Sequence, residues 1–262
     1  MASVRSFLVR GLLAGLLAGL AAFCVAYVVG EPSVSAAIAL EEAGGAAHPH
    51  AAAGPAEPDH AAGTVVPRSL QSTVGLATGT VVAGVSLGGL LGVLSALVLG
   101  RLGSAGPRTT ALLLAGAGLL AVQLVPFWAY PPNPPGVGTD ATLRLRTSLY
   151  FVLLAISVLA AVAAVLLGRA LGPRWGAWYA GLAAAAGFLL LVCVGVSLLP
   201  TYDEVPAGYP ASLLFRFRMA SLLTQVTLWV VLGVALAELL SRLVRRTAAG
   251  SGVATPLVGS GA

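Results

Sequence analysis

Long apolar stretches alternate with short polar segments along most of the chain. Six of these stretches are long enough to cross a bilayer as a helix, which takes about 20 residues. Their positions are residues 11–29, 74–99, 111–128, 149–167, 177–199 and 219–240. The pattern therefore predicts an all-α integral membrane protein with six transmembrane helices, which form one membrane domain over residues 1–240.

Charged residues are rare and lie almost entirely outside the predicted spans. The chain carries 14 basic residues, all of them arginine, and nine acidic residues, and the spans contain one charge, Glu238. A charge at the centre of a bilayer costs roughly 3 kcal/mol, which explains this depletion. With 58% apolar and 9% charged residues, the composition excludes an ordinary soluble enzyme and a disordered chain. Because the arginines do not cluster on one helix face, we expect no nucleic-acid partner.

The distribution of arginine among the loops predicts the orientation of the spans, because short cytoplasmic loops are enriched in basic residues. A cytoplasmic N-terminus places nine arginines on the inner side, namely Arg5, Arg10, Arg101, Arg108, Arg169, Arg174, Arg242, Arg245 and Arg246. Five remain on the outer side, namely Arg68, Arg144, Arg146, Arg216 and Arg218, with eight of the nine acids. We therefore predict an N-in/C-in topology, a cation-attracting outer face and a flexible cytoplasmic tail at residues 241–262.

The first apolar stretch has an alternative interpretation as a signal peptide, since Arg5 and Arg10 precede it. It is long for the apolar core of such a peptide, and no small-x-small cleavage site follows before Glu31. We therefore interpret it as a span. Cys24 and Cys193 each lie inside a predicted span, where we expect buried free thiols rather than a disulfide.

A unit of two spans joined by an outer loop recurs three times. The outer loops read GEPSVSAAIALEE, YPPNPPGVGTD and LPTYDEVPAGYP, and the even-numbered spans follow PRSLQST, LRLRTSLY and FRFRMASLL. This weak repeat predicts three similar helical hairpins. Four arginines before the later spans either extend to the lipid headgroups or pair with outer acids and close a vestibule. They are Arg144, Arg146, Arg216 and Arg218.

Glycine recurs at four-residue intervals in the first two spans. The two series are Gly11, Gly15, Gly19 and Gly84, Gly88, Gly92. Such spacing lines one helix face with backbone and predicts close helix packing. Residues 84–88 also match the G-x-S-x-G nucleophile pattern, but the predicted spans contain no histidine, aspartate or lysine to act as a base. We therefore expect no enzymatic activity.

The long loop at residues 30–73 contains every histidine of the chain. Its histidines and acids are His48, His50 and His60 with Glu41, Glu42, Glu57 and Asp59. Imidazole and carboxylate groups together suit Co, Ni, Zn or Cu(II), so one interpretation is metal capture by a flexible loop. The other interpretation is a solvated low-complexity linker whose histidines bind nothing specific.

Few other polar groups could contact an ion. Pro32 predicts a short helix through Glu42, where Glu31 either caps the helix or presents a carboxylate to a cation at the membrane edge. The polar residues at helix depth, for which we expect mainly interhelical hydrogen bonds, are Gln71, Gln123, Gln225, Thr78, Thr80 and Thr224. A deep ion site would therefore use amide, hydroxyl, thiol and backbone groups.

Several segments, taken together, have a familiar arrangement. They are GEPSVSAAIALEE with the histidine-bearing loop, RSLQSTVGLATGTVVAGVSLGGLLG, YPPNPPGVG with RTSLY, and LPTYDEVPAGYPASLLFRFRMASLLTQ. From about residue 11 to residue 238 the chain resembles the CbtA family of predicted cobalt transporter subunits. The resemblance implies a multi-pass protein of the bacterial cytoplasmic (inner) membrane that imports cobalt for cobalamin supply. It also implies a short single-span partner with its own histidines, CbtB.

The resemblance also nominates metal-binding residues and a substrate. The nominated residues are Glu31, Glu41, Glu42, His48, His50 and His60. We expect no tightly bound cofactor, and Co²⁺, or alternatively Ni²⁺ or Zn²⁺, is the expected substrate. The leading hypothesis is a divalent-metal importer subunit that captures its ion on the outer loop and passes it through glycine-rich helices. The alternative is a non-transporting accessory or scaffold subunit that supports a metal-transport partner.

Overall fold

All regular secondary structure in the described part of the chain is helical. The computed structural model describes residues 3–47, 67–101, 105–138, 140–202 and 204–251. Within these residues the α-helices are α1 (Val4–Val25), α2 (Glu31–Ala47), α3 (Arg68–Leu70), α4 (Leu76–Val98), α5 (Pro107–Gly118), α6 (Val125–Ala129), α7 (Asp140–Leu198) and α8 (Ala211–Ser251). The helix that Pro32 predicts through Glu42 is confirmed as α2 and extends to Ala47.

π-Helical turns join several of these helices into longer ones. Ala26–Gly30 connects α1 to α2, Gln71–Gly75 connects α3 to α4, and Leu119–Leu124 connects α5 to α6. Two of the turns come shortly before a proline, Pro32 or Pro126. Proline lacks the N–H that would bond to the preceding helical turn, so the helix widens there instead of ending. The wider turn changes the direction of the side chains that it carries.

Five of the joined helices are long and apolar enough to cross a membrane. They are Val4–Ala43, Arg68–Val98, Pro107–Ala129, Thr142–Leu198 and Ala211–Arg246. The six predicted apolar stretches fall within these helices, except that the second and the fifth each end one residue later. The positions of the apolar stretches therefore agree with the structure. Six separate helices are not observed, because the fourth and fifth stretches share the helix Thr142–Leu198.

The helix that contains both stretches changes direction at Gly176. This residue has φ of 77° and ψ of 161°, a non-helical conformation that glycine adopts without a clash between its side chain and the backbone. The segments before and after it lie side by side in opposite directions, since Gly168 packs against Ala184 and Gly195 packs against Ile156. The break therefore separates the fourth predicted stretch from the fifth.

The helices contribute to two compact units. One contains Met1–Phe23, Ala77–Gly116 and Thr227–Ala262, and the other contains Cys24–Leu76 and Ala117–Val226. In the second unit, a buried apolar cluster forms where α6 meets both segments of α7. Its members are Val125, Leu153, Ala160 and Phe188. This cluster fixes the helix ends from which the neighbouring loops extend.

In the first unit, the two glycine series pack directly against each other and hold α1 against α4. A Cβ added at Gly88 would lie 2.7 Å from the Cα of Gly15, and one added at Gly84 would lie 2.8 Å from the Cα of Gly19. No side chain fits at such separations, so only glycine permits this approach. The close packing predicted from the four-residue spacing is confirmed. Gly84 and Gly88 of the G-x-S-x-G match thus face a helix backbone.

Two further expectations change in the structure. Cys24 and Cys193 are free, as predicted, but both are exposed at the surface rather than buried. A lipid-facing position is as apolar as a protein core, so an apolar run does not require burial against protein.

The helix α8 also continues to Ser251, so the first part of the tail predicted from residue 241 is helical. Arg242 supports this extension by donating to Glu238 one turn earlier, at 2.6 Å.

Replacing Gly88 by alanine should destabilise the first unit. The added methyl group would meet the backbone of α1 and force the two helices apart, at a cost of about 3 kcal/mol. Gly79 is the matched control on the same helix, because a Cβ there has nothing within 4 Å, and alanine is about 1 kcal/mol better than glycine in a helix. Thermal unfolding of both variants in detergent should show a lower midpoint for Gly88→Ala only. Equal midpoints would contradict the close-packing assignment.

Candidate functional site

The loops of the second unit converge with the end of α2. The Tyr130 hydroxyl donates a 2.8 Å hydrogen bond to the carbonyl of Pro200. The side chain of Glu41 packs against Gly136, where an added Cβ would lie 3.4 Å from the Glu41 Cβ. We call this region the loop cluster; it comprises the end of α2 near Glu41, residues 130–138, and residues 199–202 with 204–210. It joins all three segments that the sequence predicts as outer loops.

A half-buried ion pair lies at the centre of the loop cluster. Arg146, on the first turns of α7, donates to the carboxylate of Glu204 at 2.5 Å, and the two side chains are 23% and 11% exposed. The hydroxyl of Thr142 donates to the other oxygen of the same carboxylate. Gly138 lies against this pair with φ of 117°, and a Cβ there would be 2.8 Å from Arg146 Nη1. The pair therefore connects the loop before α7 to the loop after it.

The other three arginines near the loops are not seen to pair with acids among the described residues. Arg218 donates to the side-chain oxygen of Asn133 at 3.0 Å, and Arg216 donates to the carbonyl of Ser212 at 3.3 Å. Arg144 is exposed. The interpretation in which arginines pair with acids thus holds for Arg146, while Arg218 uses a neutral amide instead.

Glu31, the first of the predicted metal ligands, is bound by an arginine. Arg68 Nη2 donates to Glu31 Oε1, and the hydroxyl of Ser35 donates to the same oxygen at 3.1 Å. The Glu31 side chain is 19% exposed. Its carboxylate therefore joins the start of α2 to the start of α3, an ion pair that neither of the two sequence interpretations includes.

The predicted metal ligands do not come together in the described part of the chain. Glu41 and Glu42 lie ten and eleven positions after Glu31 on α2, which corresponds to at least about 15 Å along a helix axis, too far for one ion. The predicted ligands His48, His50 and His60 lie outside the described residues. No group of three or more His, Cys, Asp or Glu side chains able to hold a metal occurs among the residues that the structure describes.

Tyrosines in the loop cluster are functional candidates that the sequence reasoning missed. Burial, and then the neighbouring Tyr202, raise the pKa of Tyr130 above its ordinary value of 10.0. Burial, and then the negative charge of Glu41, raise the pKa of Tyr209 in the same direction. Both side chains are therefore neutral hydroxyls at physiological pH. The sequence contained a sign of these tyrosines, because one tyrosine precedes the proline-rich loop and two occur in TYDEVPAGYP.

A cavity of about 530 Å³ lies beside the loop cluster. Aromatic and proline side chains line part of its wall, including Phe127, Tyr130 and Tyr150. Its polar lining residues are Gln123, Arg146, Thr147, Ser221 and Gln225. We call it the glutamine cavity, because it brings together two of the three glutamines singled out in the sequence.

A second cavity, of about 220 Å³, is also lined by residues of α8. Its polar lining residues are Glu31, Ser221, Thr224 and Gln225. Ser221 and Gln225 line both cavities. The two residues lie together because residues four apart share one helix face. Thr224 donates to the carbonyl of Ala220 in its own helix at 2.9 Å, so its hydroxyl does not form the interhelical bond that we expected.

Two local features of the sequence direct these polar groups into the cavities. Gln123 belongs to the π-helical turn Leu119–Leu124 just before Pro126, where the wider turn changes side-chain direction. Ser221 and Gln225 are one turn apart on α8. The proline signal was readable from sequence, but the meeting of α6, α7 and α8 around one space was not.

Comparison with known protein families gives a match. Residues 4–241 match the family model described as "Probable cobalt transporter subunit (CbtA)", which covers nearly the whole chain. No curated protein and no solved structure matches the chain.

Replacing Glu204 by glutamine should destabilise the loop cluster. The half-buried Arg146 would lose its carboxylate, and breaking a buried pair on one side costs about 3 kcal/mol. Arg108→Gln is the matched control, because its pair with Glu238 is 58% and 37% exposed, and an exposed pair contributes at most about 1 kcal/mol. Unfolding in detergent should show a larger loss for Glu204→Gln. Equal losses would show that the central ion pair has no special role.

Proposed function

The chain belongs to the CbtA family of probable cobalt transporter subunits, and on that premise we propose that it imports cobalt across the bacterial cytoplasmic membrane. The match over residues 4–241 is the observation that carries this proposal. Five helices long and apolar enough to cross a membrane are consistent with a multi-pass protein. The transported substrate is Co²⁺, with Ni²⁺ and Zn²⁺ as chemically related alternatives.

Our proposed topology has six spans, arranged as three hairpins with both termini in the cytoplasm. The antiparallel segments on either side of Gly176 support the division of α7 into two spans. Convergence of the three predicted outer loops in the loop cluster supports their location on the same side of the membrane. The excess of arginine in the remaining loops supports a cytoplasmic location for those loops.

We propose that the ion is first captured on the outer side. The acidic residues of the outer loops would attract a divalent cation, and the imidazoles of His48, His50 and His60 would replace part of its hydration shell. Glu41 and Glu42, both exposed at the far end of α2, would assist them. Glu31 would take part only after its carboxylate leaves Arg68. The ion would then pass through the glycine-rich helices.

The word subunit in the family description implies a partner in a transporter complex. We propose that this partner is a small single-span protein with histidines of its own, of the CbtB type. Such a partner would add imidazole ligands to those of His48, His50 and His60.

The direct test is cobalt uptake by bacteria under cobalt limitation. Cells that express the chain with its partner should accumulate more Co²⁺ than cells that express the partner alone. Gly88→Ala, which should loosen the helix packing, provides a control for dependence on the folded protein. Unchanged accumulation with both proteins present in the membrane would refute the proposal.

A second function, a non-transporting accessory subunit, is favoured by one observation. The carboxylates of Glu31 and Glu204 are already bound by arginines, so these two acids are not free to hold a cation. Reconstituted vesicles distinguish the two functions. Co²⁺ flux that requires a separate channel-forming partner, with none from this chain alone, would support the accessory role.

Replacing His48, His50 and His60 together by alanine should weaken uptake mainly at low metal concentration. Loss of ligand groups at a metal site typically lowers affinity by roughly tenfold or more, so half-maximal uptake should need correspondingly more Co²⁺. The maximal rate should stay the same, which serves as the internal control for folding. Unchanged uptake at every concentration would leave the loop as a linker.

The orientation is tested by cysteine labelling in intact cells. With Cys24 and Cys193 replaced by serine, His50→Cys should react with a membrane-impermeant maleimide, because we place residue 50 outside. Gly250→Cys should react only after the cells are permeabilised. The opposite pattern would invert the topology.

A further inference from the structure

We propose that the glutamine cavity is a water-filled site in which the transported cation is held, still hydrated, by oxygen atoms of Gln123, Ser221 and Gln225. The inference rests on the proposed function, since it assumes that a divalent cation is the substrate. It extends that function by assigning a binding site within the helices and by specifying the form in which the ion occupies it.

The first argument is that three uncharged polar side chains line the same cavity. Gln123 lies in the helix Pro107–Ala129, and Ser221 and Gln225 lie in the helix Ala211–Arg246, both of them candidate spans. Polar side chains are scarce there, yet these three line one cavity. None of the three has a side-chain hydrogen bond to another described residue. Amide groups at membrane depth are expensive without partners, so water in the cavity is the partner that satisfies them.

The second argument is charge. Among the described residues that line the glutamine cavity, Arg146 has the one charged side chain, and its charge is balanced by Glu204 at 2.5 Å. These lining residues therefore provide no free carboxylate that could replace the water ligands of a divalent cation. Amide and hydroxyl oxygens instead accept hydrogen bonds from the water bound to the ion, whose protons are made more acidic by the metal. Such contacts hold the ion weakly enough for it to leave again.

The third argument is size. Six water molecules occupy about 180 Å³ at their volume in the liquid, and the cavity has about 530 Å³. A cation with a complete first hydration shell therefore fits, with space for further water around it. The second cavity, about 220 Å³, is lined in part by Glu31 and shares Ser221 and Gln225 with the first. Gln225 thus lies where an ion could be passed from one cavity to the other.

The first experiment measures water access without relying on transport. In the full chain with Cys24 and Cys193 replaced by serine, Ser221→Cys should react with a small cationic methanethiosulfonate reagent. Ala160→Cys is the control, because Ala160 is buried in the apolar cluster at 3% exposure and should not react. Millimolar CoCl₂ should slow the labelling of Ser221→Cys. Absence of reaction at position 221, in a folded protein, would overturn the water-filled cavity.

The second experiment changes the charge at the proposed site. Gln225→Lys should lower Co²⁺ uptake into vesicles by at least about tenfold, because a fixed positive charge a few ångströms from a divalent cation repels it. Gln225→Glu, of nearly the same shape, should keep uptake and lower the Co²⁺ concentration needed for half-maximal rate. Gln71→Lys, outside both cavities, should leave uptake unchanged. Similar uptake by the lysine and glutamate variants of Gln225 would overturn the assignment.

The two experiments separate this inference from the function on which it rests. Labelling of Ser221→Cys that Co²⁺ slows, without wild-type flux, would refute transport and retain a hydrated cation site. Wild-type flux with an unreactive Ser221→Cys would retain transport and refute the site. Labelling that Co²⁺ does not slow would also refute the site, because it would indicate water without bound cation.

Discussion

The exclusion of charge from hydrocarbon is the constraint on which the rest of the structure depends. Nearly every charged residue lies outside the predicted spans, because a charge within the bilayer costs several kilocalories per mole. Outside the spans, the charges pair with each other. Glu31 with Arg68 and Glu204 with Arg146 then join helix starts and loops that are distant in sequence. The exclusion of charge from the bilayer thus favours tertiary contacts between helix starts and loops.

The same constraint determines how the helices can pack. Lipid is as apolar as leucine, so helices in a membrane gain little from burying large apolar side chains and depend instead on close approach. The glycine faces of α1 and α4 meet at separations that no Cβ allows. In the second unit the contacts at Gly168 and Gly195 play a similar part between the segments of α7. Small residues that permit close helix contact therefore stabilise this protein, whereas a soluble protein is stabilised by a large apolar core.

The scarcity of charged side chains limits the groups that could bind an ion. Glu31 and Glu204 are paired with arginines, and the uncharged polar side chains that line the two cavities are amides and hydroxyls. Such a surface suits a cation that keeps its water, whereas a dehydrated ion would need carboxylate or imidazole ligands. Imidazole is available only in the histidine-bearing loop. The proposed capture and the proposed passage of the ion therefore use chemically different parts of the chain.

The sequence by itself determined the apolar stretches, the break between the fourth and fifth of them, the glycine-lined helix faces and the family. Each depends on residues that are close together along the chain, so it can be recognised without knowing which segments meet in space. Tertiary structure alone decided that Arg218 bonds to Asn133, that Tyr209 lies near Glu41, and that Gln123 and Gln225 share a cavity. It also decided that Glu31 and Glu41 lie apart. Contacts between distant segments depend on helix rotation and on the path of the loops, and neither leaves a periodic signal in the chain.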